Sequence, residues 1–303
     1  MTRPSIADKR RTFHQLHRSG CFLLPNPWDV GSAHYLQSLG FKALASTSSG
    51  LAWSQARPDN GLSLEQVLAH LSSMVEATDL PLNADFENGF GADAATVSVS
   101  VRLAVEAGVA GLSIEDSTGV AATPLFSIAE ATERVRAARG AIDAAGGDTL
   151  LVARAECLLV GKTDINEVIA RLRAYANVGA DCLYAPGVRT PEHIAALVQA
   201  LAPKPVNVLI GAPSDFNLAT LAELGVRRVS VGGALARAAW GGFQRAAQSL
   251  AEGRFDGLAG APSHGDIDKL FSASASASAS ASASASASAS ANVSVNASSK
   301  PSV

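Results

Sequence analysis

The sequence predicts a (β/α)8 barrel in residues 1–271. Eight short apolar runs alternate with eight stretches of helical periodicity along this part of the chain. Several helical patterns stop at a glycine, as at Leu39-Gly40 and Ala107-Gly108, where glycine is the usual residue just past a helix. Three of the apolar runs end in charged residues, as strands do where they emerge from a sheet that is buried on both faces. Repeated strand–helix units favour a barrel, and a doubly wound sheet is the alternative.

The predicted strands are short and rich in apolar residues. In chain order they are Phe22–Leu24, Ala43–Ser46, Leu82–Asp85, Gly111–Glu115, Leu150–Arg154, Cys182–Ala185, Val206–Leu209 and Val229–Val231. The predicted helices occupy the intervals, where apolar residues recur at helical spacing. They are Val30–Leu39, Leu64–Thr78, Ala94–Ala107, Ile128–Ala145, Ile165–Asn177, Pro191–Ala202, Leu218–Leu224 and Ala234–Ala251. A further helix over Ile6–Arg18 is expected to plug or flank the bottom of the barrel.

The composition bounds the function classes. The chain has 303 residues, a hydrophobic content of 48% and a net charge of −3, which gives no basis for binding nucleic acid or a membrane surface. No apolar stretch approaches the ~20 residues of a membrane helix, and the first residues lack the apolar segment of a signal peptide. Cys21, Cys157 and Cys182 cannot all pair, so a reduced, cytoplasmic protein is the simplest interpretation.

Two acidic residues mark the end of the third predicted strand. Asp85 and Glu87 stand two positions apart, so on an extended strand they point to the same side. A glycine-rich turn follows at once, with Gly89 and Gly91. Two carboxylates beside such a loop suit Mg²⁺, which takes few protein ligands and keeps several waters. The alternative is a strand end whose acids are simply solvated.

The next two strands also end in charge. Glu115 and Asp116 close the fourth strand, and Arg154 closes the fifth. The alternatives are an Asp116 that caps the following helix and an arginine that pairs with a structural acid. In a barrel the carboxyl ends of the strands gather at the face that carries the active site. We therefore expect Asp85, Glu87, Glu115 and Arg154 to lie together.

Between about Phe13 and about Phe271 the chain resembles the isocitrate lyase/phosphoenolpyruvate mutase superfamily. The matching segments stand in the family's order and are Pro27-Trp28-Asp29, Ser48-Ser49-Gly50-Leu51, Arg57-Pro58-Asp59, the Asp85/Glu87 pair, Ile114-Glu115-Asp116 and Ala153-Arg154. The resemblance implies an enzyme that depends on Mg²⁺, with Mn²⁺ as a substitute, and that converts 2-oxo or 2-hydroxy carboxylates through a pyruvate enolate. It also implies a homodimer or homotetramer in which the eighth helix is exchanged between subunits.

The resemblance assigns the metal site as follows. Asp85 corresponds to the direct metal ligand, and Glu87 takes the place of the family's second aspartate. Glu115 and Asp59 are similar to the carboxylates that hold the waters of the metal. The implied metal-site residues are therefore four acids from three different segments of the chain.

The resemblance also implies a substrate site. Ser49 and the backbone N–H groups of Gly50 and Leu51 correspond to the segment that receives the substrate's carboxylate or enolate oxygen. Arg154 resembles the arginine that binds the substrate carboxylate. Asn207 matches a substrate-binding asparagine of the lyase branch, for which a buried structural asparagine is the alternative.

The loop after the fourth strand departs from the family pattern. Residues 117–126 contain no cysteine, histidine, lysine or asparagine, the residues that the lyase and mutase branches use in this loop. We favour a carbon–carbon lyase of the decarboxylase or retro-aldol type, because decarboxylation of a 3-carboxy-2-oxo acid needs no general base. A retro-aldol cleavage needs one, for which Tyr184 and Glu156 are candidates. The alternatives are a mutase that acts on carbon–phosphorus bonds and a non-catalytic binding barrel.

Residues 272–303 form a separate segment. Serine and alanine alternate strictly from Ser272 to Ala291, and no aromatic residue follows. Such a segment has too little apolar surface to offset the entropy of ordering the chain, so we expect a disordered tail.

Truncation after Phe271 tests this expectation. The shortened chain should keep the melting temperature and the activity of the full chain, because the tail contributes no packing. Thermal unfolding of the two proteins side by side measures this. A melting temperature lower by several degrees in the shortened chain would show that the tail packs on the domain.

Overall fold

A computed structural model describes residues 3–272, and its eight strands form one parallel sheet that curls into a nearly closed barrel. The strands are β1 (Phe22–Leu24), β2 (Leu44–Ala45), β3 (Leu82–Asp85), β4 (Gly111–Glu115), β5 (Leu150–Arg154), β6 (Cys182–Tyr184), β7 (Val206–Leu209) and β8 (Arg228–Ser230). Each strand from β2 to β8 pairs with the next, and β8 pairs with β1. The predicted barrel is confirmed. The doubly wound alternative is wrong, because a doubly wound sheet reverses its strand order at a switch point, whereas here each strand neighbours the next around the sheet.

Ten α-helices surround the strands in the described part of the chain. They are α1 (Ile6–Arg18), α2 (Val30–Ser38), α3 (Ser48–Ser54), α4 (Leu64–Ala77), α5 (Ala94–Glu106), α6 (Ile128–Ala144), α7 (Ile165–Asn177), α8 (Pro191–Leu201), α9 (Leu218–Glu223) and α10 (Ala234–Ala251). A 3₁₀ turn at Asp256–Leu258 and a helical stretch over 264–272 follow. No described helix is both long enough and apolar enough to cross a membrane. Of the predicted tail, only Ser272 lies within the described residues.

Two differences from the predicted elements bear on the site. The helix α3 was not predicted, because it is short and has no apolar periodicity. Its signal is Thr47, whose side chain accepts a hydrogen bond from the Gly50 amide and so caps the helix. The last strand begins at Arg228, one residue before the predicted Val229, which places a buried arginine inside the sheet.

The register of the sheet aligns residues from five neighbouring strands. Glu115 pairs with Arg154, Arg154 with Tyr184, Tyr184 with Asn207, and Asn207 with Arg228. Because paired residues on neighbouring strands point to the same face of a sheet, their side chains form one row across the barrel. This row links the acidic end of the sheet to the interior below it.

The barrel closes through few hydrogen bonds where β1 meets β2. The Ala45 amide donates to the Pro25 carbonyl at 3.0 Å. Pro25 has no N–H, so no donation can return from it. The Asn26 side chain adds a second bond across this junction, since its Nδ2 donates to Ser46 O at 2.9 Å, while its Oδ1 accepts from the Gly232 amide beyond β8 at 2.9 Å. One side-chain amide therefore joins the two edges of the sheet.

The helix α1 plugs the bottom of the barrel. The Phe13 ring is fully buried and lies so close to Gly111 that a Cβ there would approach it to 2.7 Å. The buried Lys9 ammonium donates to the carbonyls of Val75 at 2.8 Å and Thr78 at 2.5 Å, at the end of α4. A cation at that position satisfies the free carbonyls of a helix C-terminus. The barrel is therefore open only at the opposite face, where the acidic residues lie.

Candidate active site

Arg154 lies at the centre of the acidic cluster. Its Nη1 donates to Asp85 Oδ1 at 2.9 Å and its Nε to Glu156 Oε1 at 2.7 Å, and its Nη2 lies 3.3 Å from Glu115 Oε2. All three nitrogens of the guanidinium therefore face carboxylates. The Tyr184 ring lies beneath the guanidinium carbon at 5.1 Å from its centroid. The predicted convergence of Asp85, Glu115 and Arg154 is present, with the arginine engaged by acids.

Asp85 is held from both sides. One oxygen faces Arg154, and Oδ2 accepts hydrogen bonds from both the Ser48 amide and the Ser48 hydroxyl at 3.0 Å. The Asp85 amide donates to Ser46 Oγ at 2.8 Å. Neither serine was predicted as a partner, because Ser46 follows β2 and Ser48 begins α3, both far from Asp85 along the chain. Asp85 is thus preorganised at the end of β3.

The predicted substrate-receiving segment forms the first turn of α3. Here the Gly50 amide donates to Thr47 Oγ1 at 3.3 Å and the Leu51 amide to Thr47 O at 3.1 Å. The Ser49 amide donates to no residue within 3–272. Gly50 must be glycine, because a Cβ there would lie 2.6 Å from Thr47 Cγ2 and 2.9 Å from Trp28 Cβ. Ser49 is thus the member of the predicted trio whose N–H is open.

Glu87 lies just beyond β3 in an unusual backbone conformation. Its φ is 47°, in the left-handed region that few non-glycine residues adopt. Its carbonyl accepts from the Glu115 amide at 3.0 Å, which ties the loop to β4. Such strain persists where the surrounding structure imposes it, often at functional sites. The predicted i, i+2 strand geometry therefore does not describe this pair, since Glu87 has already left the strand.

Burial and mutual repulsion change the acidity of this cluster. Burial, followed by the charges of Asp85 and Asp59, raises the pKa of Glu87 to about 7. Burial raises the pKa of Glu115 to about 8, although the charge of Arg154 acts in the opposite direction. Desolvation and then the charge of Asp85 raise the pKa of Asp59 as well. These acids lack enough positive charge nearby to be fully ionised together.

Two cavities that share lining residues lie beside the cluster. The inner one has a volume of about 170 Å³ and is lined by Asp85, Arg154 and Asp59, among others. The outer one has a volume of about 570 Å³ and shares Ser49 and Asp59 with the first. Glu87 and Glu115 do not line either cavity and lie behind these walls, almost fully buried. The predicted acids thus divide into two that face the cavity and two that support it.

A buried network supports Arg154 from below. Asp116 Oδ1 accepts from the Glu156 amide at 2.8 Å, and Oδ2 accepts from Arg171 Nη1 at 3.0 Å and from the Tyr175 hydroxyl at 2.7 Å. The capping alternative for Asp116 is wrong, because Ser127 caps the next helix. Asp116 instead fixes the segment that carries Glu156.

Asn207 does not line the cavities. Its Nδ2 donates to Ser230 Oγ at 3.0 Å, and its Oδ1 accepts from Arg228 Nε at 2.8 Å. Both ends of the amide are therefore used within the barrel interior. This arrangement matches the alternative of a structural asparagine, and substrate contact by Asn207 stays a prediction.

The donor set suits a hard divalent cation. Within residues 3–272 no three acidic, histidine or cysteine side chains converge closely enough to hold a metal ion as they stand. Asp85, Asp59, Glu87 and Glu115 nevertheless supply only oxygen donors, and burial, followed by the charges of neighbouring acids, raises the pKa of Asp59, Glu87 and Glu115. A divalent ion would neutralise this repulsion, and all-oxygen donors are what Mg²⁺ prefers. The residues therefore fit the implied metal.

Known proteins share this arrangement of elements. A family model described as phosphoenolpyruvate phosphomutase matches residues 13–251. An oxaloacetate decarboxylase from Pseudomonas fluorescens is 31% identical over 236 residues, which cover 75% of this chain and 79% of that protein.

Solved structures resemble the whole barrel. One from Burkholderia cenocepacia, named as a candidate lyase/mutase, is 46% identical with a TM-score of 0.85, over 88% of this chain and 97% of that one. A phosphonopyruvate hydrolase in complex with oxalate and Mg²⁺ is 27% identical with a TM-score of 0.79, over 92% of this chain and 98% of that one.

The raised pKa of Glu87 predicts a pH-dependent stability. In the folded, metal-free protein this pKa is about 7, above the ordinary value of 4.5, so the folded state holds a proton that the unfolded state releases. The associated stability is present below pH ~4.5 and is lost as the pH rises through about 7. Glu87→Gln should therefore become more stable than wild type as the pH rises, by on the order of 2 kcal/mol.

Denaturant unfolding in EDTA at pH 5.5 and pH 8.5 measures this difference. The exposed Glu223, replaced in the same way, is the control and should show no pH-dependent difference. A Glu87→Gln variant whose stability relative to wild type is the same at both pH values would contradict the interpretation.

Proposed function

Because the chain belongs to the isocitrate lyase/phosphoenolpyruvate mutase superfamily, we propose that it is a Mg²⁺-dependent carbon–carbon lyase that forms a pyruvate enolate from a 2-oxo or 2-hydroxy carboxylate. We choose carbon–carbon cleavage because the chain is similar to an oxaloacetate decarboxylase over 79% of that protein. The mutase family model and the similarity to a phosphonopyruvate hydrolase support carbon–phosphorus cleavage as the second candidate.

Decarboxylation of a 3-carboxy-2-oxo acid suits the residues that are present. The bond between C3 and the departing carboxylate breaks, its electron pair forms the C2–C3 double bond of the enolate, and carbon dioxide leaves. A proton from water then adds to C3 and gives the 2-oxo product. No protein base is needed in the first step, which agrees with a loop 117–126 that lacks cysteine, histidine and lysine.

The chain's own residues orient the substrate and stabilise charge. Mg²⁺, when bound, supplies a Lewis acid that draws electron density toward the 2-oxo group. Asp85 and Asp59 are the acids on the cavity wall that would hold it, with Glu87 and Glu115 behind them. The open Ser49 amide would donate toward the developing oxyanion, and Arg154 would supply positive charge beside the substrate carboxylate.

We propose that the protein functions in a reducing compartment. Cys21, Cys157 and Cys182 are all free in the structure, and Cys157 and Cys182 are buried. Unpaired buried thiols are typical of proteins that function in the cytoplasm.

We also propose a homodimer that exchanges α10. Only Ala236 and Ser249 of this long helix are buried, whereas Trp240 and Phe243 are 39% and 61% exposed. An apolar groove of about 380 Å³ lies beside β1 and α2, where Leu23 and Tyr35 are themselves exposed. The exposed apolar face of α10 can therefore pack into the exposed apolar groove of a second copy of this chain.

Asp85→Asn tests the metal assignment. The change removes one charge at nearly constant shape, so the fold should persist while metal-dependent turnover falls at least ~10²–10³-fold, the usual effect of losing one strong oxyanion-stabilising group. Pyruvate release from a panel of 2-oxo and 2-hydroxy dicarboxylates, with phosphonopyruvate included, measures turnover. Mg²⁺ titration by calorimetry measures binding.

Glu87→Asp is the control variant for Asp85→Asn. It restores the family's usual residue and should keep activity, because the carboxylate remains. Wild-type turnover and Mg²⁺ binding in Asp85→Asn would remove Asp85 from the metal site. Release of pyruvate and phosphate from phosphonopyruvate, with no pyruvate from the dicarboxylates, would favour the second candidate function.

Phe243→Lys tests the exchanged helix. A charge on the apolar face of α10 should lower the sedimenting mass from a dimer or larger assembly to a monomer. Val99→Lys on α5, where the side chain is 51% exposed, is the control and should leave the assembly intact. A wild-type chain that sediments only as a monomer at micromolar concentration would overturn the dimer.

A further inference from the structure

Arg228 is a buried cation whose described partners are all neutral. Only 2% of the residue is exposed. Its Nε donates to Asn207 Oδ1 at 2.8 Å, and its Nη1 lies 3.3 Å from Asn83 Oδ1 and 3.4 Å from His17 Nε2. His17 Nδ1 lies 2.8 Å from the Phe13 carbonyl and must donate to it, so Nε2 of the neutral ring is the acceptor. No carboxylate of the described chain pairs with this guanidinium.

One nitrogen of Arg228 remains available. Within residues 3–272, Nη2 makes no hydrogen bond, and it is not one of the fully buried polar atoms that lack a partner, so it reaches open space. Arg228 also lines the inner cavity of about 170 Å³, together with Asn83, Ser113 and Ser230. The donor without a partner therefore belongs to a side chain that forms part of the cavity wall.

The other arginine of the same cavity stands in contrast. Arg154 faces three carboxylates, from Asp85, Glu115 and Glu156. Its charge is therefore largely compensated by the protein, whereas the charge of Arg228 is not. Because a buried charge is unfavourable unless it is paired, an anion in the cavity gains most at Arg228.

We propose that Arg228 forms an anion subsite in the inner cavity, which binds a carboxylate of the substrate other than the one beside the metal acids. The proposal rests on the proposed function and adds the residue that recognises the second carboxylate of a dicarboxylate substrate. Asp85 and Arg154 lie at one part of the wall and Arg228 at another, and the row of paired residues from β5 to β8 connects them. A planar guanidinium with a free nitrogen matches the geometry of a carboxylate oxygen.

Asn207 and Asn83 keep the Arg228 guanidinium oriented and available for an anion. Neutral amide oxygens orient the guanidinium without cancelling its charge, which carboxylates in their place would do. The sequence shows the signal only in retrospect, as an arginine within the apolar run Val226-Arg-Arg-Val-Ser-Val231.

Malate and lactate form a matched pair of probes, since they differ by one carboxylate on a 2-hydroxy acid. Calorimetric titration of the full-length protein with Mg²⁺ present should show malate bound at least tenfold more tightly than lactate. In Arg228→Met the affinity for malate should fall roughly 10- to 100-fold, as expected for one lost charge-assisted hydrogen bond, while lactate changes less than about twofold. Arg227→Met, one residue away on the half-buried neighbour, should leave both affinities unchanged.

A folded Arg228→Met protein that keeps the malate preference would overturn the subsite. Equal losses for malate and lactate would do the same, because they indicate a structural role. If Arg228→Met does not fold, Arg228→Lys keeps the charge and loses the fork, and its malate-to-lactate ratio should fall at least threefold; an unchanged ratio refutes the subsite. The malate-to-lactate ratio measures binding and does not depend on turnover. The proposed function fails separately, if the wild-type protein cleaves none of the carboxylates in the panel.

Discussion

The charge of Arg154 holds the active-site end of the barrel together. Asp85, Glu115 and Glu156 come from three segments of the chain and would repel one another without the guanidinium between them. Asp116, through the Glu156 amide, and Ser48, through Asp85, fix two of these acids from outside the cluster. A divalent ion at Asp85, as proposed, would compete with Arg154 for the same carboxylate, so metal binding and the orientation of the arginine would be one coupled equilibrium.

Local patterns were sufficient to predict the fold. Glycine stops and apolar periodicity place the ends of the eight predicted helices within one residue of those observed, because these signals depend on residues near each end. The convergence of Asp85, Glu115 and Arg154 also followed, since parallel strands bring their carboxyl ends to one face. In this protein the strand-end positions of these three residues were thus enough to predict that they lie together.

Partner choice could not be predicted in the same way. Ser48 binds Asp85 across a long stretch of chain, and nothing near Asp85 indicates that contact. The last strand begins at Arg228, one residue before the predicted start, so Arg228 was not expected inside the barrel. Glu87 was expected to point to the same side as Asp85, but its left-handed backbone directs it away from the cavity wall. Each of these features depends on distant residues, whose pairing is set only by the assembled barrel.

The junction of β1 and β2 gives the barrel an uneven local stability. Elsewhere neighbouring strands share a ladder of backbone hydrogen bonds, whereas Pro25 lacks an N–H and the Asn26 side chain provides much of the closure. Sub-global opening requires the least disruption where the fewest bonds must break. Asn26 and Ser46 also line the inner cavity, so the segment expected to open most readily is a wall of the candidate site. Solvent exchange into the barrel interior is therefore expected to pass through this junction, and the rest of the sheet can stay intact while it does so.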